Sequence, residues 1–199
     1  MPERNTIWRT MNDAGLAAWF GGSLMGAIGV NGAAADVDDP RQRARVANAG
    51  WNRWTPVNAA AIGAHVIGAI GLTLANRDRI ANQKGVGKAS FAKAALTAGA
   101  MGLTAYSRTL GQKMMNAGDV PVEGGTTPSA ATPPDVAKVQ SQLSTLQWAI
   151  PAVTGAMVGV NSLMGEQQKP DQVAKGVQKT RRERLARSYN GYRKARAGV

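Results

Sequence analysis

The chain has 199 residues, which suits one domain, and it carries a formal charge of +12 with no cysteine and one histidine. The lack of cysteine excludes disulfides, iron–sulfur clusters, thiolate zinc sites and cysteine nucleophiles, and one histidine excludes a multi-histidine metal site within one chain. The positive charge indicates that the chain binds an anionic partner or surface.

Four runs without a charged residue follow one another along the chain, at 14–35, 54–76, 94–107 and 139–165. A membrane-spanning helix needs about 20 apolar residues, and the first, second and fourth runs reach that length. The third run spans only if Lys93 and Arg108 extend toward opposite headgroup layers. The sequence therefore predicts an all-α, polytopic membrane protein with a four-helix transmembrane bundle.

Two alternatives to this topology remain open. The mean hydropathy of −0.23 favours a soluble helical protein with a core of alanine and glycine, although the runs lack the polar face that a soluble helix needs. Arg4 and Arg9 followed by an apolar run resemble a secretory signal peptide. The length of that run, and Asp13 directly before it, favour an uncleaved span.

The connections divide the chain into segments of distinct character. Asp39 and Pro40 are typical of a helix start, and Trp51 and Trp54 at helical spacing indicate a helix lying in the headgroup layer. The predicted segments are an N-terminal cytosolic segment 1–13, three membrane helices within 14–116 together with the interfacial helix 40–54, a flexible Pro/Gly/Thr linker 117–134, a long fourth helix 135–165 and a basic cytosolic tail 166–199.

A phrase of glycine, alanine and one larger apolar residue occurs in each uncharged run, as "GAIGVN", "GAIGLT", "GAMGLT" and "GAMVGVN". Small residues four positions apart let helices approach closely in lipid. We expect helix packing through Gly22, Gly26, Ala64, Gly68, Ala98, Gly102, Gly155 and Gly159. The alternative is an internal duplication, which if inverted would point to a transporter-like architecture.

His65 lies near the middle of the second run, and an ionisable group within a membrane helix is a candidate functional residue. It could relay protons, bind a quinone headgroup or ligate haem across a dimer. The simpler interpretation is a neutral imidazole hydrogen-bonded to Ser23, Thr97 or Thr104 of a neighbouring helix, because no carboxylate lies in any run. We expect no catalytic residue, cofactor or metal site, and hence no enzyme.

The C-terminal tail carries most of the excess charge, with ten basic residues after Gln168 against Asp171 and Glu183. Val173, Val177, Leu185, Tyr189 and Tyr192 share one helical face, so the tail is predicted to be a basic amphipathic helix that docks on anionic lipid. An acidic protein is the alternative partner, and nucleic acid is the least favoured. The binding residues would be Lys179, Arg181, Arg182, Arg184, Arg187, Arg193, Lys194 and Arg196.

The predicted function is that of a membrane scaffold or accessory subunit, with protein partners or a homo-oligomer formed through its helices. The alternatives are a small transport protein with a polar path near His65 and a quinone- or redox-associated membrane protein. Counting the tail, the Lys and Arg distribution favours a multi-pass protein of the cell membrane with both termini in the cytosol.

Overall fold

The computed structural model describes residues 5–196, except for the side chains of 191 and 193–196, and helices make up most of this part of the chain. The first helical stretch joins α1 (Thr6–Met25), a π-helical segment (Gly26–Val30) and α2 (Asn31–Ala35) without an intervening loop. The π-helical turn falls on the "GAIGV" phrase, and Asn31 donates a hydrogen bond back to the Ala27 carbonyl at 3.3 Å. The remaining long helices are α3 (Pro40–Ala75), α5 (Val86–Asn116), α6 (Pro134–Glu166) and α7 (Pro170–Arg196).

Helix α3 corrects the prediction of a separate interfacial helix at 40–54. Asp39 caps its start as predicted, by accepting a hydrogen bond from the Arg41 backbone N–H at 3.0 Å. The helix then continues for 36 residues, through Pro56, into the second uncharged run. Trp51 and Trp54 instead lie against the first helical stretch, where Gly26 and Gly22 leave room for their rings.

The predicted linker 117–134 also differs from the expectation of a flexible segment. It contains two short antiparallel strands, β1 (Val122–Gly124) and β2 (Thr127–Pro128), that close one end of the helical bundle. Val122 is fully buried, and Gln140 of α6 donates a hydrogen bond to the Gly124 carbonyl at 3.0 Å. These contacts, rather than the Pro/Gly composition, determine the structure of the segment.

Four long helical stretches form two antiparallel pairs. The first stretch packs along α3, α5 packs along α6, and α1 also contacts α6, so these contacts join the two pairs. The heptad pattern of α6 supplies much of the core, through Val136, Leu143, Leu146, Ile150 and Met157. Its observed range differs by one residue at each end from the predicted 135–165.

Two described helices, α3 and α6, are long and apolar enough to cross a membrane. The other two helical stretches do not meet this combination of length and apolar composition. The uncharged runs of the first stretch and α3 are also staggered in the bundle. Gly26, in the middle of the first run, lies beside Trp51 of α3. Trp51 comes before the second run begins and soon after Arg41, Arg43 and Arg45. The first run is therefore displaced along the bundle axis relative to the second.

Helix α7 leaves the bundle and contacts the short helix α4 (Arg77–Asn82). Lys84, just after α4, forms an ion pair with Glu183, and Arg184 donates to the Ala81 carbonyl at 3.1 Å. The hydrogen bond from Lys84 holds the pKa of Glu183 below its ordinary value. The contribution of this contact is therefore present at neutral pH and is lost as the pH falls through the folded-state pKa.

Candidate functional site

The bundle buries several polar side chains within its apolar core and exposes many large apolar side chains on its surface. Asn12, His65, Gln140 and Thr154 are fully buried between helices. Large apolar side chains are exposed on all four helical stretches: Met25, Ile28, Ile67, Ile70, Leu74, Phe91, Met101, Trp148, Val158 and Leu163. Many exposed large apolar side chains are typical of a membrane or protein contact, and inward-facing polar groups are typical of helices in lipid.

A buried polar cluster joins four helices near the end of the bundle at which α1 begins. We call Asn12, His65, Lys93, Thr97 and Asn161 the Asn12 cluster. The Asn12 amide donates to the His65 carbonyl at 2.9 Å, and its oxygen accepts from Lys93 Nζ at 2.6 Å and from Asn161 Nδ2 at 3.4 Å. Asn12 thereby connects α1 to α3, α5 and α6.

Both ring nitrogens of His65 have polar neighbours within the bundle. Nδ1 lies 2.9 Å from the Asn12 backbone oxygen and 3.1 Å from the Asn12 side-chain nitrogen. Nε2 lies 3.3 Å from the hydroxyl of Thr97, which is one of the three predicted partners. The Trp19 ring packs edge-on against the imidazole, with ring centroids 6.2 Å apart. The imidazole is therefore enclosed by groups of the bundle.

The third run was predicted to span only if Lys93 extends toward a headgroup layer, and the structure does not show this orientation. Its side chain points into the bundle, where the residue is 8% exposed and its ammonium bonds to Asn12. Asn12 and Lys93 were not predicted as site residues, since each is a polar residue flanking an apolar run. One feature of the sequence does point to them. No carboxylate lies within the uncharged runs, so His65 and Lys93 need other polar side chains, such as amides, as hydrogen-bond partners.

The eight predicted packing residues do not converge on one axis. Gly22, Gly26 and Gly68 lie in close contacts between the first stretch and α3, whereas Gly155 faces the Phe20 ring. Ala98, Gly102 and Gly159 are exposed, and a Cβ added at either glycine meets nothing within 4 Å. Ala64 is half-buried on α3. Close approach through small residues is therefore a property of the α1–α3 pair.

Two cavities lie between α3 and α5, on either side of Met101. One, of about 280 Å³, is lined by Trp51, Trp54, Asn58 and Arg108 among others. The other, of about 430 Å³, lies beside the Asn12 cluster and extends to Arg9, Arg79 and Gln167. The two helices of this interface are thus separated along much of their length.

The predicted tail residues Lys179, Arg181, Arg182, Arg184 and Arg187 are exposed on α7. Arg193, Lys194 and Arg196 lie outside the described side chains. Val177, Leu185, Tyr189 and Tyr192 are also exposed, so the predicted apolar face of the tail is uncovered in the described part of the chain.

No protein-family model matches the chain, and no curated protein or solved structure is significantly similar to it.

Proposed function

We propose that the chain is an integral membrane protein of the cell membrane in which α1, α3, α5 and α6 cross the bilayer as one bundle. The observation that carries the proposal is the apolar outer surface, with exposed Ile, Leu, Met, Phe and Trp, together with the amides, histidine and lysine that are buried inside the bundle. Outward apolar surface is stable in lipid, whereas an aqueous protein would expose it at a cost of about 25 cal/mol per Å².

The inward position of Lys93 supports a span for α5. Since Lys93 is buried, the outward-facing charge-free stretch of this helix extends from the exposed Lys88 to Arg108. Twenty residues at about 1.5 Å each cover about 30 Å, which matches the hydrocarbon thickness of a bilayer. On α3 the charge-free stretch is limited by Arg53 and Arg77. Arg108 of α5 donates a hydrogen bond to Asn52 of α3, so Arg108 and Arg53 lie at the same level of the bundle.

The topology proposed is multi-pass with both termini in the cytosol. The N-terminal end of α1 lies at the same end of the bundle as the end of α6, where Arg9 donates to Gln168 at 2.5 Å. Arg77, Arg79, Lys84 and α7 are at this end too. The positive-inside rule favours this end for the cytosolic side.

Within this membrane we propose a non-enzymatic scaffold or accessory subunit. The exposed small residues Gly102 and Gly159 support this role, because a small-residue surface in lipid suits close packing with another helix. A second copy of the chain or a larger membrane complex would supply that helix. Nothing within the described chain covers these glycines.

Affinity purification of the full chain in mild detergent tests the scaffold role. We expect a stoichiometric membrane-protein partner or a homo-oligomer, and loss of that association in Gly102→Leu and Gly159→Leu while the monomer remains folded. A monomer that mediates solute uptake dependent on His65 would contradict the proposal and favour transport. A bound chromophore would favour a redox role instead.

The tail is proposed to dock on anionic lipid through its exposed cations and apolar face. Replacing Lys179, Arg181 and Arg182 by glutamine is expected to weaken that docking by about 1 kcal/mol per residue. An environment-sensitive fluorophore on Ser188→Cys, in vesicles with and without phosphatidylglycerol, measures it. The matched control changes Arg41, Lys113 and Lys138, which are exposed at the opposite end. Equal loss in both variants, or equal docking on neutral vesicles, would contradict the lipid role of the tail.

A further inference from the structure

The larger cavity combines a cationic end with apolar walls. Arg9, Arg79 and Lys93 line it together with one carboxylate, that of Asp13. Between α3 and α5 the cavity is lined mostly by apolar side chains, which include Val66, Ala69, Ile70, Leu74, Ala98 and Met101. The cavity therefore combines cationic groups with apolar walls.

The three cations have only neutral hydrogen-bond partners among the described residues. Arg9 donates to Gln168, and Arg79 donates to the Gln83 and Asn76 side chains at 3.0 Å and to the Gln167 carbonyl at 2.9 Å. Lys93 donates to Asn12 at 2.6 Å. The one carboxylate, that of Asp13, accepts from Asn161 at 3.0 Å. Amides orient the cations without neutralising them, so the charge of the site remains available to an anion.

A hydrogen-bond acceptor at the same end has no partner. Gln167 is one of the residues that line the cavity. Its Oε1 atom is buried and makes no hydrogen bond within the described chain. A buried acceptor without a partner is costly, and a ligand hydroxyl would satisfy it. The headgroup end thus offers both cations and an acceptor.

From these features we propose that the cavity between α3 and α5 binds one molecule of an anionic phospholipid with a hydroxylated headgroup. The phosphate lies among Arg9, Arg79 and Lys93, the headgroup hydroxyl donates to Gln167, and an acyl chain occupies the apolar part as far as Met101. The site rests on the proposed membrane location, because a lipid enters laterally from the cytosolic leaflet. That leaflet is the anionic one, and the cationic end of the cavity lies on the side assigned to the cytosol.

Native mass spectrometry of the full chain in neutral detergent tests the site, with dioleoylphosphatidylglycerol, dioleoylphosphatidylcholine and soluble glycerol 1-phosphate as probes. We expect one tightly bound phosphatidylglycerol, phosphatidylcholine weaker by about tenfold or more, and no competition by glycerol phosphate at equal concentration. Arg79→Gln should weaken binding about tenfold through loss of a charge-assisted contact. Ala98→Trp should abolish it by filling the apolar part.

The control is Arg181→Gln combined with Arg182→Gln in the tail, which should leave the tight site unchanged. Equal binding of the two lipids, competition by glycerol phosphate alone, or loss of the tight lipid in the tail control would each overturn the inference. Thermal unfolding of every variant shows whether a loss of lipid binding reflects misfolding. If Ala98→Trp left both the unfolding and the lipid binding unchanged, the inference would also be overturned. A chain that is soluble without detergent would refute the membrane proposal itself, whereas a detergent-dependent chain with no lipid preference would refute only this site.

Discussion

Replacing Gly68 by leucine is expected to destabilise the bundle by about 3 kcal/mol, at the upper end of what overpacking normally costs. A Cβ at this position would lie 2.5 Å from both the Asn12 backbone nitrogen and the Trp8 carbonyl oxygen. These are backbone atoms of α1, so no side-chain rotation relieves the clash and the two helices must separate. Thermal unfolding in detergent measures the loss.

The matched control is Gly102→Leu, which makes the same substitution at a glycine of the corresponding phrase on α5. Nothing lies within 4 Å of a Cβ at Gly102, so the monomer should keep its stability. Equal destabilisation by both variants would show that α3 does not contact α1 through Gly68 as described.

Asn12→Leu is expected to have the second large effect, about 3 kcal/mol or more, because it leaves the buried ammonium of Lys93 without its acceptor. Leucine has the same number of side-chain heavy atoms as asparagine and branches at the same carbon, so the variant removes the hydrogen bonds and keeps the branched shape. The His65 carbonyl loses its side-chain donor in the same variant. Combining Asn12→Leu with Lys93→Met should recover much of the stability, since no unpaired charge then remains.

His65→Asn serves as the comparison for this cluster. The asparagine amide takes the place of Nδ1 and retains a donor for the Asn12 carbonyl, so it should cost less than His65→Leu. If Asn12→Leu were tolerated as well as His65→Asn, the Asn12 cluster would not be a stabilising network.

The parts of the fold that the sequence specified locally were predicted well. Asp39 and Pro40 define the start of α3 through a cap whose hydrogen bond lies within three residues. The start and end of α6 follow from prolines and from an uninterrupted heptad pattern. Each of these features depends on neighbours in the chain, so no tertiary information was needed to read it.

Features that depend on distant partners were not predictable in this way. Trp51 and Trp54 fit a headgroup layer and a glycine-lined helix contact equally well by composition, and only the position of Gly22 and Gly26 on the partner helix decides between them. Similarly, the repeated phrase shows that small residues are present but not which face of each helix is covered. Gly68 and Gly99 both occupy the first position of the phrase and have opposite environments, because a Cβ at Gly68 meets backbone atoms of α1 and a Cβ at Gly99 meets nothing within 4 Å.

The residues of the candidate site also divide into those that the sequence identified and those that depend on distant partners. His65 was identified because it is the one histidine in an apolar run, and Thr97 was among its predicted partners. Asn12 and Lys93 come from helices whose relative depth was unknown, and the stagger of the uncharged runs brings them to the level of His65. Register between helices, rather than residue type, determines the composition of the cluster.

The natural absence of cysteine permits one direct measurement of the membrane topology. Single cysteines at Ala130 and Ser188 occupy exposed positions, the first beside the strands at one end of the bundle and the second on α7 at the other. A membrane-impermeant maleimide applied to intact cells should label the Ala130→Cys variant, and it should label the Ser188→Cys variant only after permeabilisation. Labelling of Ser188→Cys in intact cells, or protection of both positions until permeabilisation, would contradict a bundle that crosses the bilayer with its termini in the cytosol.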